Sequence, residues 1–265
     1  MAYDPYYAIG FDEDDFTDLD HYLKEEFGAS DYETDFYDNV VSHQDESGVR
    51  VSVFDSNLGH PSVVAFSTGK PLIASAYRVI DHLILVQLRR PGQGPEGEVY
   101  NQVAASTDEA FHLPPGNPVG GEALFTDKLE LSAWGLEYSL FNDVEQWREQ
   151  GVATADGSAT PDTIVPEVLY SESVERFHKD FNPRRVTPIA TLAAEITAVE
   201  RRTNGITGTD FYVCDVNLPT GTLALILPAR GDSPEPAAGN VFAGTAFVSA
   251  TVGYWQSRYE SGEQS

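Results

Sequence analysis

The 265-residue chain carries 42 acidic against 16 basic side chains, a formal net charge of −26, and 41% of its residues are hydrophobic. That length suits two compact units or one large β domain, and the hydrophobic share is sufficient for a packed core, which excludes wholesale disorder. The charge repels other polyanions, so nucleic acid and anionic membrane surfaces are disfavoured as partners unless a local basic patch overcomes the field.

The first 46 residues are the most acidic part of the chain. Phe16, Leu19, Tyr22, Leu23 and Phe27 recur at helical spacing, with Asp14 or Asp15 as cap and Gly28 as stop. Ser30 is placed to cap a second helix whose apolar stripe is Tyr32, Phe36, Tyr37, Val40 and Val41. Residues 1–46 are therefore expected to form an acidic, amphipathic helical hairpin.

From Val49 the period changes to two, with Val49, Val51 and Val53 sharing a face, and a first β domain is expected over 47–150. DSNLGHPS and STGKP read as turns around the short strand VVAF, and a long β-rich stretch runs from Leu72 to Leu88. Asn142 is placed to cap a short helix carrying Val144 and Trp147. Residues 151–185 read as a linker followed by the helix SESVERFHKDF, with Val174, Phe177 and Phe181 on one face. A second β domain spans 186–256, and 257–265 is expected to fray.

Two distant segments resemble each other. Gly121 to Gly135 aligns without gaps on Gly239 to Gly253, which matches Leu124 with Phe242 and Leu129 with Phe247. Upstream, Phe111 to Gly116 faces Leu225 to Gly231, and Arg89 with Arg90 falls near Arg201 with Arg202. The expected fold is thus mainly β with minor α: tandem, duplicated small Greek-key or OB-like barrels, or halves of a sandwich, behind the helical hairpin.

Few motifs carry chemistry. STGKP lacks the Gly-rich approach of a phosphate loop, and Pro71 opposes the helix such a loop feeds. The run Asp12 to Asp20 has Thr17 where a calcium loop needs Gly and Leu23 where it needs Glu, and the six histidines show no zinc-ligand spacing, so no metal and no cofactor are expected. Asp55, Ser56 and His60 supply acid, hydroxyl and imidazole within six residues, a proximity that favours turn bonds over a triad. Cys214, the only cysteine, permits no internal disulfide and lies in a strand pattern. The opening lacks a basic signal region and no apolar run approaches the roughly 18 residues of a membrane span, so a cytoplasmic location is expected. The acidity with scarce Lys also fits the composition of a bacterial protein.

These features point to a non-enzymatic interaction protein whose acidic, aromatic N-terminal region docks a basic protein partner. Phe11, Phe16, Tyr32, Phe36 and Tyr37 would anchor, and Asp14, Asp15, Asp18, Asp20 and Asp35 would steer. Arg89, Arg90, Arg184, Arg185, Arg201 and Arg202 would hold an anion or form the counter-surface for the hairpin. A rival reading is a barrel that binds a short oligonucleotide or oligosaccharide through those arginines, and a third is an enzyme whose site assembles only in three dimensions.

Overall fold

The computed structural model describes residues 5–11, 19–27, 30–32, 39–55, 61–116, 122–150, 165–231 and 233–255. The chain is mostly β: a four-stranded sheet lies on a nine-stranded one, and short helices pack against them.

The N-terminal part departs from the expected hairpin. Helix α1 (Pro5–Ala8) and helix α2 (Leu19–Phe27) form, but the second expected helix is replaced by strands β1 (Ser30–Tyr32) and β2 (Asn39–Gln44). Val40 and Val41 are β-branched, and the turn at Asp45 to Gly48 folds β2 back onto β3 (Val49–Asp55), pairing Val41 with Val53 and Val40 with Phe54. Strand β4 (Ser62–Phe66) completes the sheet in the order β1-β2-β3-β4. No break in packing falls at residue 46. Ile9, Phe11, Leu19 and Leu23 share one cluster with Val49, Val51 and Phe66, and with Trp134, Phe211 and Ile226 of the larger sheet.

The larger sheet contains two runs of four strands. The first is β5 (Leu72–Ile80), β6 (Leu83–Leu88), β7 (Asn101–Ser106) and β8 (Leu124–Phe141). The second is β10 (Ile189–Thr203), β11 (Asp210–Leu218), β12 (Gly221–Pro228) and β13 (Val241–Thr251). In each run the first three strands form an antiparallel meander, and the fourth returns antiparallel to the first. The fourth strands also pair with each other, antiparallel, from Val241↔Phe141 to Thr251↔Glu130. Finally β7 pairs in parallel with β13, and β12 in parallel with β8. Pairing therefore closes through two five-strand circuits that share the β8–β13 ribbon.

One continuous core fills the inner face of both circuits, including Leu72, Ile84, Val86, Leu131, Leu192, Val216, Leu225 and Val248. The outer faces are covered as well. Helix α4 (Glu172–Asp180) packs Val174 and Phe177 over Tyr77, Leu85 and Ala104 of the first run, and the four-stranded sheet covers Phe211, Val213, Ala224 and Ile226 of the second. Helix α3 (Val144–Gln150) buries Trp147 against Ala193 and Val241. Its cap is Asp143, whose side chain accepts from the Gln146 N–H at 2.7 Å, rather than Asn142. Phe181, expected beside Val174 and Phe177, sits in a left-handed C-cap and is 50% exposed.

The matches between the two segments do not hold in detail. Leu129 faces the main core while Phe247 packs against the cluster on the opposite side of the ribbon, and Leu124 is exposed while Phe242 is fully buried. Phe111 lies in a 3-10 turn (Ala110–His112), whereas Leu225 lies within β12. Arg89 and Arg90 follow the second strand of their run, but Arg201 and Arg202 belong to the first strand of theirs. A one-residue shift of the ribbon match brings Leu129, Leu131 and Ala133 onto Ala246, Val248 and Ala250, all facing the main core.

Candidate binding cleft

Among the described residues, the most buried charges form an internal clamp. The Arg50 guanidinium, 1% exposed, donates two 2.7 Å bonds to the fully buried Asp108 carboxylate, from Nε and Nη2, and lies 3.5 Å from the fully buried Glu109. Ser52 Oγ lies 2.6 Å from Asp108, while Glu109 accepts from Thr251 Oγ1 at 3.0 Å and from the Trp255 N–H at 3.1 Å. The cluster joins β3, the segment after β7 and the C-terminal end of β13. Arg50, Asp108 and Glu109 are all sealed from solvent, so their chemistry is that of a fastener. His82 nearby packs its ring on Phe54 at 4.3 Å, and burial holds its pKa below the usual 6.5 against the opposing pull of Asp81 and Asp108.

The STGKP turn also binds an internal anion. Glu130 accepts from the N–H of Thr68 at 2.7 Å and of Gly69 at 3.1 Å, and from Ser67 Oγ at 3.2 Å, while the Lys70 ammonium pairs with Asp215. The backbone donors that would cradle a phosphate are taken by this carboxylate.

The six arginines are dispersed. Arg89 is buried and fixes its own loop through Gly97 O at 3.0 Å, Pro95 O at 3.1 Å and Ser75 Oγ at 2.8 Å. Arg90 stacks over the Tyr100 ring at 4.8 Å. Arg184 is exposed at the 3-10 turn Pro183–Arg185, where Arg185 pairs with Asp180 at 3.1 Å. Arg201 pairs with Asp210 at 2.6 Å; Arg202 pairs with Glu200 at 2.7 Å and donates to Ser47 O at 2.8 Å. They build no common groove.

Of the expected partner-binding residues, Asp14, Asp15, Phe16, Asp18, Asp35, Phe36 and Tyr37 lie outside the described residues, as do Ser56 and His60. Tyr32 falls on β1. Phe11 is 4% exposed and belongs to the core, so it is no anchor. The backbone beside it is clasped by the β10–β11 connection: Asn204 Nδ2 and Thr207 Oγ1 donate to Ile9 O at 2.8 and 2.6 Å. Gly10 follows at φ +93°, where an added Cβ would lie 2.2 Å from Thr209 Oγ1, so only glycine fits. Asp20 lies on α2, where Tyr22, Glu25 and Glu26 are exposed.

A concave site lies elsewhere, between the start of β7 and the junction of β9 (Glu167–Tyr170) with α4. It is an open cleft of about 290 Å³ bounded by Tyr100, Gln102, Tyr170, Val174, Glu175 and His178. Tyr100 and Tyr170 are 43% and 44% exposed. His178 Nε2 and Gln102 Oε1 meet at 2.8 Å, and the Tyr170 hydroxyl donates to Glu175. Glu175 also accepts from Lys179 at 2.5 Å; these bonds, that from Lys179 first, hold its carboxyl below the usual range, while the bond to Glu175 raises the Tyr170 phenol. Antiparallel pairing of β9 with β10, Tyr170↔Thr191 to Glu167↔Ala194, places this rim, and the amphipathic α4 follows because its apolar face must cover Tyr77 and Leu85.

Among the described residues no group of three His, Cys, Asp or Glu side chains is arranged to hold a metal ion. No described helix is long and apolar enough to cross a membrane. Compared with protein families, curated proteins and solved structures, the chain gives no match in any of the three.

Proposed function

We propose that this chain is a non-enzymatic binding protein that engages a basic protein partner, built on a duplicated scaffold of two OB-like barrels. The observation that carries the partner reading is the fate of the bases. Arg50, Lys70, Arg176, Lys179, Arg185, Arg201 and Arg202 all sit in ion pairs with acids of the same chain, and Arg89 is engaged by its own loop. Against 42 acids and 16 bases, internal pairing leaves a formal surplus of 26 negative charges with no basic counterpart in the chain. Such a field raises the encounter rate with a positively charged surface and turns away acidic competitors. On α2, Tyr22 beside Glu25 and Glu26 offers an aromatic anchor among acids, a role that the buried Phe11 cannot fill.

The barrel reading is supported by the two five-strand circuits, in each of which the last strand of the other run serves as the closing strand. It is supported also by the one-residue shift that puts core residues onto core residues. A cytoplasmic setting fits a chain whose single cysteine is buried, with burial pushing its thiol up to about 12. Binding of an oligomer through the arginine pairs has less support, because those arginines are dispersed and most are engaged within the chain.

Capture of partners from native cytoplasm on the intact immobilised chain, released in steps of rising salt, tests the partner reading. Recovery of strongly basic proteins at moderate salt is expected. Recovery only of neutral or acidic proteins, held through high salt, would contradict it.

A further inference from the structure

We infer that the cleft between β7 and α4 is a binding site for a short stretch of neutral oligosaccharide, a site independent of the partner reading. The carboxylate that bounds it, Glu175, is already paired with Lys179. Arg90 lies over Tyr100 at 4.8 Å, Lys179 and the Tyr170 hydroxyl bind Glu175, and Arg176 pairs with Glu172. An incoming cation would meet the Arg90 guanidinium at Tyr100 and a carboxylate with two donors in place at Glu175. An incoming polyanion would meet the net charge of −26. A neutral ligand meets neither cost.

The rest of the cleft suits a sugar ring. Two half-exposed phenol rings, Tyr170 and the face of Tyr100 away from Arg90, offer flat apolar surface, and each ring is held by an internal partner, so little side-chain freedom is lost when a sugar stacks on them. Between them the Gln102 amide and His178 imidazole, 2.8 Å apart, and the buried Val174 combine donors, acceptors and a small apolar floor. The volume, about 290 Å³, is at the small end for ligand sites, and its open shape admits a chain that runs through.

The test titrates the intact protein with neutral hexasaccharides of the β-glucan, α-glucan, xylan, mannan and chitin types, followed by calorimetry and by NMR of the tyrosine rings. At least one is expected to bind at millimolar concentration or tighter. Tyr100→Ala and Tyr170→Ala should each weaken it at least tenfold with unchanged circular dichroism, and Tyr170→Phe, which keeps the ring and loses the bond to Glu175, should retain most of it. Absence of binding across the panel would overturn the inference, as would binding undiminished in the double alanine variant. So would occupation of the cleft by an arginine-rich peptide instead of a sugar.

Discussion

The hydroxyls of Ser132 and Ser249 meet at 2.7 Å in the middle of the β8–β13 ribbon, where the two residues are also paired backbone to backbone. Each has one further strand neighbour, in parallel: Ser132 pairs with Ala224 of β12 and Ser249 with Ser106 of β7. The strand scheme thus repeats about this pair. Trp134 Nε1 adds a 2.9 Å bond to Ser249 alone, which makes the two serines energetically unequal. Ser249→Ala should leave both the indole N–H and the Ser132 hydroxyl buried without that partner, at about 1–3 kcal/mol each, whereas Ser132→Ala should cost about 1 kcal/mol. Urea unfolding of both variants checks the order; equal losses would contradict it.

Arg50→Met removes the guanidinium from the internal clamp and leaves Asp108 and Glu109 buried beside each other. Breaking a buried pair from one side typically costs about 3–5 kcal/mol. The expected result is a large drop in urea midpoint, with the loss reduced when Asp108→Asn is added. An additive double variant would argue against the clamp.

Burial lowers the pKa of both His43 and His82 from the usual 6.5, so the fold disfavours protons that the unfolded chain accepts. Below that value the unfolded state binds more protons, and stability is lost as pH falls towards the depressed native values. The urea midpoint should decline between about pH 7 and pH 5, and His82→Phe should flatten that decline. An unchanged slope in the variant would remove His82 as its source.

Deleting residues 1–46 should not leave a folded body. Ile9, Phe11, Leu19, Leu23, Val40 and Val41 are all nearly or fully buried, and each side chain buried is worth about 1.5–3 kcal/mol. The sum is on the order of 10 kcal/mol, comparable with the roughly 5–15 kcal/mol total stability of a typical domain. Loss of the cooperative unfolding transition is the expected readout, and a sharp transition near that of the full chain would contradict the shared core.

The mostly β architecture was legible because the valine alternation from Val49 to Val53 and the β-rich stretch from Leu72 to Leu88 carry it directly. Helix α4 was also legible from Val174 and Phe177. The N-terminal strands were missed because Tyr32, Phe36, Tyr37, Val40 and Val41 fit a helical stripe, yet NVVSHQ, DESG and VRVSVF together read as strand, turn and strand. Arg50 hid in that same strand: alternation assigns it to a solvent face, but the segment around Asp108 buries that face too. The cleft left no local signal, because Tyr100 and Gln102 are separated from Tyr170, Glu175 and His178 by some seventy residues and meet only where β9 and α4 reach the start of β7.

Selection of a basic partner by surplus negative charge, as proposed, is tested most directly by the salt dependence of affinity for a partner captured as above. Affinity measured by calorimetry from about 50 to 500 mM salt should fall steeply, because exposed charge pairs are screened over a Debye length of about 10 Å at 0.1 M. Replacing Asp20, Glu25 and Glu26 together by their amides should lower both the affinity and the slope. An affinity that holds constant across that range, with the triple variant binding as the parent does, would contradict the account.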